Sequence, residues 1–194
     1  MNEYATLAEL KRARKINDTT DDTDLQAALT RASRAIDKRC GRRFYRDAAV
    51  SARTWRVAGR TRPAFDGELM LTDDIATSDG LIVEIGDGVT WNTVTDYFLE
   101  PDSAVVKGEP ITGIRRDYSA WGTGYRARVT AVWGWPEIPD SVTEATLLLA
   151  SRRFMRRFSP EGVSGFGQDG VVRVSRFDSD IEDLIGPYVL DGFA

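Results

Sequence analysis

The chain has 194 residues, 42% of them hydrophobic, with 26 basic and 30 acidic side chains and a net charge of −4. That composition suits a packed core, no apolar run approaches the roughly 20 residues that span a bilayer, and the charged opening "MNEYATLAELKRARKIND" lacks a signal-peptide core, so cytosolic synthesis is expected. One cysteine, Cys40, and no histidine exclude an internal disulfide, Ser-His-Asp and Cys-His catalysis, and the commonest metal ligand.

A first helix is predicted over Leu7–Ile16, broken by "NDTTDDTD", whose acids and threonines suit a turn and a helix cap. A second follows over about Asp24–Cys40 and stops at Gly41, a good residue just past a helix end. Leu25, Leu29, Ala32 and Ile36 recur at helical spacing and form its apolar face. Ala27, Ala28 and Ala35 keep its flanks thin, while Arg31, Arg34, Lys38 and Arg42 line another face.

From Ser51 the pattern changes to strands. "ELMLT", "LIVEIG", "VTWNTV", "DYFLEP", "PITGIRRDY" and "YRARVTAVWGW" read as about six short strands, and Asp87–Gly88 reads as a hairpin turn. Their spacing predicts a small antiparallel sandwich or open barrel. Pro136 and Pro139 end this region. Ser141 and Glu144 then make an S-x-x-E capping pair before a long helix, "VTEATLLLASRRFMRRF". Its last turns hold Arg152, Arg153, Arg156 and Arg157, where cations suit the helix dipole. Next comes "SPEGVSGFGQDGVVRVSR", with Gly162, Gly165, Gly167 and Gly170 close together and a strand-like run at Val171–Val174. A short acidic helix is predicted at Ser179–Ile185, ending at Gly186–Pro187.

The order is helices, strands, helices. The fold class is therefore α+β, because strands and helices are segregated along the chain. Residues 1–50 and 137–194 are expected to pack together as a helical bundle, with residues 51–136 inserted as a β-domain. Charge follows the same division: 11 basic against 8 acidic residues in 1–50, 9 against 12 in 51–136, and 6 against 10 in 137–194. An acidic balance argues against wrapping DNA. The uneven spread lets one end of a copy attract the opposite end of another.

No constellation of catalytic or metal-binding residues emerges. The glycine-rich segment follows a helix, precedes a strand and lacks lysine, so it does not match a phosphate loop. Asp21–Asp22 and Asp73–Asp74 lack EF-hand spacing and read as a helix cap and a strand end. Phe154 and Phe158 alternate with arginines but fit a buried helix face, and Cys40 reads as a small buried hydrophobe. The sharper reading of the charges is an interface. Arg31, Arg34 and Lys38 form one face, and Arg152, Arg153, Arg156 and Arg157 form a second. Asp180, Glu182 and Asp183 supply acids to a neighbouring copy. A nucleic-acid-binding module using the same basic faces is an alternative.

"YATLAELKRARKI" with "DDTDLQAALTRASRAIDKRCGRRFY" resembles the N-terminal helices of tailed-phage head–tail connector (adaptor) proteins. "VWGWPEIPDSVTEATLLLASRRFMRRFSPEGVSGFGQDGVVRVSR" resembles their C-terminal part. The resemblance covers roughly residues 4–46 and 129–188. It implies a virion protein made in the host cytoplasm, not an enzyme, with no cofactor. It implies a ring of copies, commonly twelve, under the portal of a DNA-filled head. Such a ring extends the DNA channel without sequence-specific binding and carries the tail-side stopper protein. A stopper or tail-terminator protein is the second reading. The glycine-rich segment, with Gly162, Gly165, Phe166, Gly167, Val172, Arg173 and Val174, is then expected to be an arm. It orders on the portal or on a neighbour, and the free subunit stays monomeric until the portal templates the ring.

Overall fold

Thr6 starts the first helix. A computed structural model of the chain describes residues 2–122, 125–156, 163–167, 170–173 and 179–190, and it divides into two units, Met1–Arg43 with Ile138–Ala194, and Phe44–Glu137. In the first unit, α1 spans Leu7–Arg14. The Thr6 hydroxyl accepts the Glu9 N–H at 3.2 Å, and the Glu9 carboxylate accepts the Thr6 N–H at 2.7 Å. This reciprocal pair satisfies two N–H groups that have no intrahelical partner. The helix ends two residues short of the expected Ile16, because Lys15 turns left-handed at φ 55 and its N–H bonds back to Arg12.

Helix α2 spans Asp22–Cys40 and stops where Gly41 adopts φ 67. Leu25, Leu29, Ala32 and Ile36 are all buried, as their spacing requires. Helix α3 spans Asp140–Met155, and the capping pair expected at Ser141 and Glu144 does not form. The helix begins one residue before Ser141, so its hydroxyl lies inside the first turn and meets the Tyr188 hydroxyl at 3.0 Å instead. The Pro139 carbonyl accepts the Thr143 N–H at 3.1 Å and starts the helix. Helix α4, Ser179–Ile185, buries Ile181 and Ile185. Helix α2 packs on α3, α4 packs on α3, and α1 touches both α2 and α3.

The second unit holds β1 (Ser51–Arg56), β2 (Thr61–Ala64), β3 (Gly67–Gly86), β4 (Trp91–Thr93), β5 (Tyr97–Glu100), β6 (Ile111–Arg116) and β7 (Arg126–Trp133). They make one antiparallel sheet in the order β1-β7-β3-β6-β5, with β2 and β4 also paired to β3. The sheet does not close, and β1 and β5 end that order. Ala127, Val129, Ala131 and Trp133 alternate inward along β7 and are buried, so one face of that strand carries the core.

The two runs expected as separate strands, "ELMLT" and "LIVEIG", are halves of the 20-residue β3. The acids between them do not make a solvated turn. Asp73 takes an ion pair from Arg53 at 2.6 Å, and Asp74 accepts the Trp135 indole N–H at 3.0 Å. The strand bends further on. Thr77 faces Val132 but Ile82 faces Thr130, so residues between them bulge out. Gly80 supplies the left-handed backbone there, at φ 70.

The expected hairpin at Asp87 joins β3 to β4. The Asp87 carboxylate accepts the N–H groups of Thr90 at 2.7 Å and Val89 at 2.8 Å, which hold it below its ordinary carboxylate range. At the other end of the unit, the Asp47 N–H bonds the Trp133 carbonyl at 2.7 Å. Gly134 sits there at φ 109, and a Cβ on it would lie 2.0 Å from the Tyr45 carbonyl oxygen. Trp133 and Trp135 are buried and donate to the Ser51 carbonyl and to Asp74, so they form structural hydrogen bonds and not a ligand cage. Within the glycine-rich segment, β8 (Val163–Gly167) pairs antiparallel with β9 (Gly170–Arg173).

Candidate interface surfaces

The acidic face is built on α4. Ile181 and Ile185 point inward, one helical turn apart, and fix the orientation of this seven-residue helix. Glu182, expected from sequence to supply an acid to a neighbouring copy, has a partner within the chain. Its carboxylate accepts two bonds from the Arg39 guanidinium, at 3.0 and 2.7 Å. That bidentate contact, first through its hydrogen bond and then through charge, raises the Arg39 pKa above its ordinary value. Asp180 and Asp183, three residues apart, stay exposed on one side. Asp180 accepts a local hydrogen bond from the Ser179 hydroxyl at 3.3 Å.

The first predicted basic face separates into two kinds of residue. Arg34 is a structural clamp. It donates to the Asn2 carbonyl at 2.7 Å, pairs with Asp37 at 3.2 Å and lies 5.6 Å over the Tyr4 ring. Asp37 also accepts a hydrogen bond from the Tyr4 hydroxyl. Burial nevertheless dominates and raises the Asp37 pKa. Arg31 and Lys38 are exposed on α2.

The second basic face meets the first at Arg31. Arg153, on α3, is partly buried and held below the ordinary arginine range, first by burial and then by the charges of Arg156 and Arg31 nearby. Among the described residues no acid pairs with Arg31, Arg153 or Arg156. Arg152 lies on the same helix, half-exposed. Phe154 is buried as expected, and Arg157 and Phe158 lie outside the described residues. Gly165, Phe166 and Gly167 fall in β8, and Val172 and Arg173 in β9. Gly162 and Val174 lie outside the described residues. Cys40 is buried, with its thiol 3.9 Å from the Ile185 carbonyl and its pKa pushed up to about 11 by burial. Among the described residues no group of three His, Cys, Asp or Glu side chains is placed to hold a metal ion, and no helix is long and apolar enough to cross a membrane.

No family model and no curated protein matches the chain. Solved structures do. One chain from the neck of an empty gene transfer agent particle, computed with C6 symmetry, aligns over 100% of this chain and 96% of its own length, with 16% identity and a TM-score of 0.56. One from the virion of a native gene transfer agent particle aligns over the same shares, with 17% identity and a TM-score of 0.52. The chain shares its fold with a neck protein of a phage-like particle.

On this fold, sequence reasoning missed two groups. Arg39 adjoins Lys38 in the sequence, but its partner Glu182 is 143 residues away, so only the packed helices reveal the pair. Asp66–Gly67 repeats the dipeptide that marked Asp87–Gly88, but here Phe65 and Asp66 form the two-residue turn between β2 and β3, with Gly67 opening β3 and Phe65 fully exposed at the tip. Arg115 supports that tip by pairing with Asp66 at 2.6 Å and with Glu100 at 3.0 Å.

Proposed function

We propose that this chain is a structural subunit of the neck of a phage-like particle. Copies form a ring, twelve by the resemblance of the helical sequences, docked on the portal and continuing its DNA channel. The tail-side face receives a stopper protein. The observation that carries this reading is the fold likeness to a gene transfer agent neck chain over 100% of this chain and 96% of that one, at a TM-score of 0.56. The absence of histidine supports a role without acid–base chemistry. A net charge of −4 suits a conduit that must let DNA pass without holding it.

Deleting the gene from its particle tests the proposal. DNA-filled heads without tails are expected, and adding purified protein should restore tail attachment. Particles that carry tails normally without the chain would end the reading. A gel shift gives the competing nucleic-acid reading its chance: tight, steeply salt-dependent duplex binding by the free chain would favour it.

A further inference from the structure

We infer that neighbouring copies join through the Arg31–Arg153–Arg156 surface of one and the Asp180–Asp183 face of α4 on the next. The inference rests on the ring in the proposed function and says which surfaces close it. A ring built head to tail needs two different, complementary patches on each subunit, and the helical unit carries such a pair.

The two patches cannot satisfy each other within one chain. Helix α4 and the turn after it are fixed at the C-terminal end of α2 and the N-terminal end of α3. The Arg39–Glu182 pair, the Leu190 N–H to Cys40 carbonyl bond at 2.9 Å and the Ser141–Tyr188 contact hold them there. The basic patch lies further along the same helix pair, at the middle of α2 and the C-terminal end of α3. Arg31 lies nine residues before Cys40, about 14 Å along α2, and Arg153 lies twelve residues after Ser141, about 18 Å along α3.

Each patch is also incomplete in the single chain. Arg153 is partly buried beside two like charges, with no acid to offset them among the described residues. A carboxylate delivered between Arg153 and Arg31 removes that repulsion, and a second reaches Arg156. Asp180 and Asp183 offer two carboxylates on one side of a helix, while Glu182 is already engaged by Arg39. Both sets ride on packed helices, so no loop has to order for the contact to form, and only the side chains are immobilised.

The test is a charge swap in the full-length chain, counted as copies bound to tailless heads of its own particle. Arg153→Glu with Arg156→Glu should lower ring occupancy about tenfold or more, and so should Asp180→Arg with Asp183→Arg, because each turns attraction into repulsion. An equal mixture of the two variants should recover occupancy, since each then presents the complement of the other. Misfolded variants would not rescue one another. If the wild type binds and both variants bind equally well, the inference is wrong while the neck reading stands. If the basic patch matters but the mixture fails to recover, the patch meets DNA or the portal instead, and the inference is again wrong. If the wild type itself does not bind heads, the neck reading fails, and cross-linking in solution still decides the contact. Arg156→Cys mixed with Asp183→Cys should give disulfide-linked chains under oxidation, while either variant alone or a Lys38→Cys control should not. Cys40 is buried and does not compete. No cross-link between the two variants, on heads that bind the wild type or, where heads do not bind it, in solution, would overturn the inference.

Discussion

Gly134 has no room for a methyl group. A Cβ there would overlap the Tyr45 carbonyl oxygen at 2.0 Å, and the backbone is already left-handed at φ 109. Gly134→Ala should therefore cost about 3 kcal/mol or more, seen as a lowered midpoint in urea unfolding. Gly80 is the control. It too has positive φ, but nothing lies within 4 Å of its added Cβ, so Gly80→Ala should cost only about 1 kcal/mol. Cys40 gives a second residue-scale expectation. Its folded pKa of about 11, against 9.0 for a free thiol, means the folded chain keeps the proton that the unfolded chain releases first. Stability should fall as pH rises from 9.0 toward about 11. At neutral pH a thiol reagent should label Cys40 only at the rate of unfolding. Rapid labelling of the native chain would contradict its burial.

Helix α1 is short, eight residues, and depends on its start. Thr6→Ala removes one side of the reciprocal cap and should lower stability by about 1 kcal/mol, measured by thermal unfolding. The α4 helix depends on its apolar contact. Ile181 is fully buried, so Ile181→Ala should cost about 2–5 kcal/mol and loosen the helix before the rest of its unit, read by amide exchange. Helices were the legible part of the sequence because their information is local. The 3.6-residue pattern named the buried positions of α2, and a glycine marked its end. The predicted bounds of α4 match the observed ones. Local rules failed where a distant partner decides. Asp73 and Asp74 read as a strand end because nothing nearby reveals Arg53 or Trp135, and so β3 was divided. The site followed the same logic. The position of Arg153 on a basic helix face could be read directly, but its closeness to Arg31 needs α2 and α3 to be packed. Nothing within reach in sequence shows that Glu182 is taken by Arg39 or that Arg34 holds the N-terminal segment.

At the scale of the whole molecule, the chain passes from helices into a sheet and back again. We expect residues 44–137 to fold by themselves, with a cooperative β-type transition in circular dichroism. We also expect a chain with that segment replaced by a short glycine linker to keep its helices. Loss of helical signal in the shortened chain would show that the helices need the sheet. The bond from Asp47 to the Trp133 carbonyl matters for this expectation. It holds the entering and leaving chain of this unit side by side near its two ends, so the two ends stay close however much chain loops out beyond them. A lineage could therefore enlarge, trim or exchange this module as a cassette, refitting a particle to new neighbours while the helical frame keeps its length and its ends.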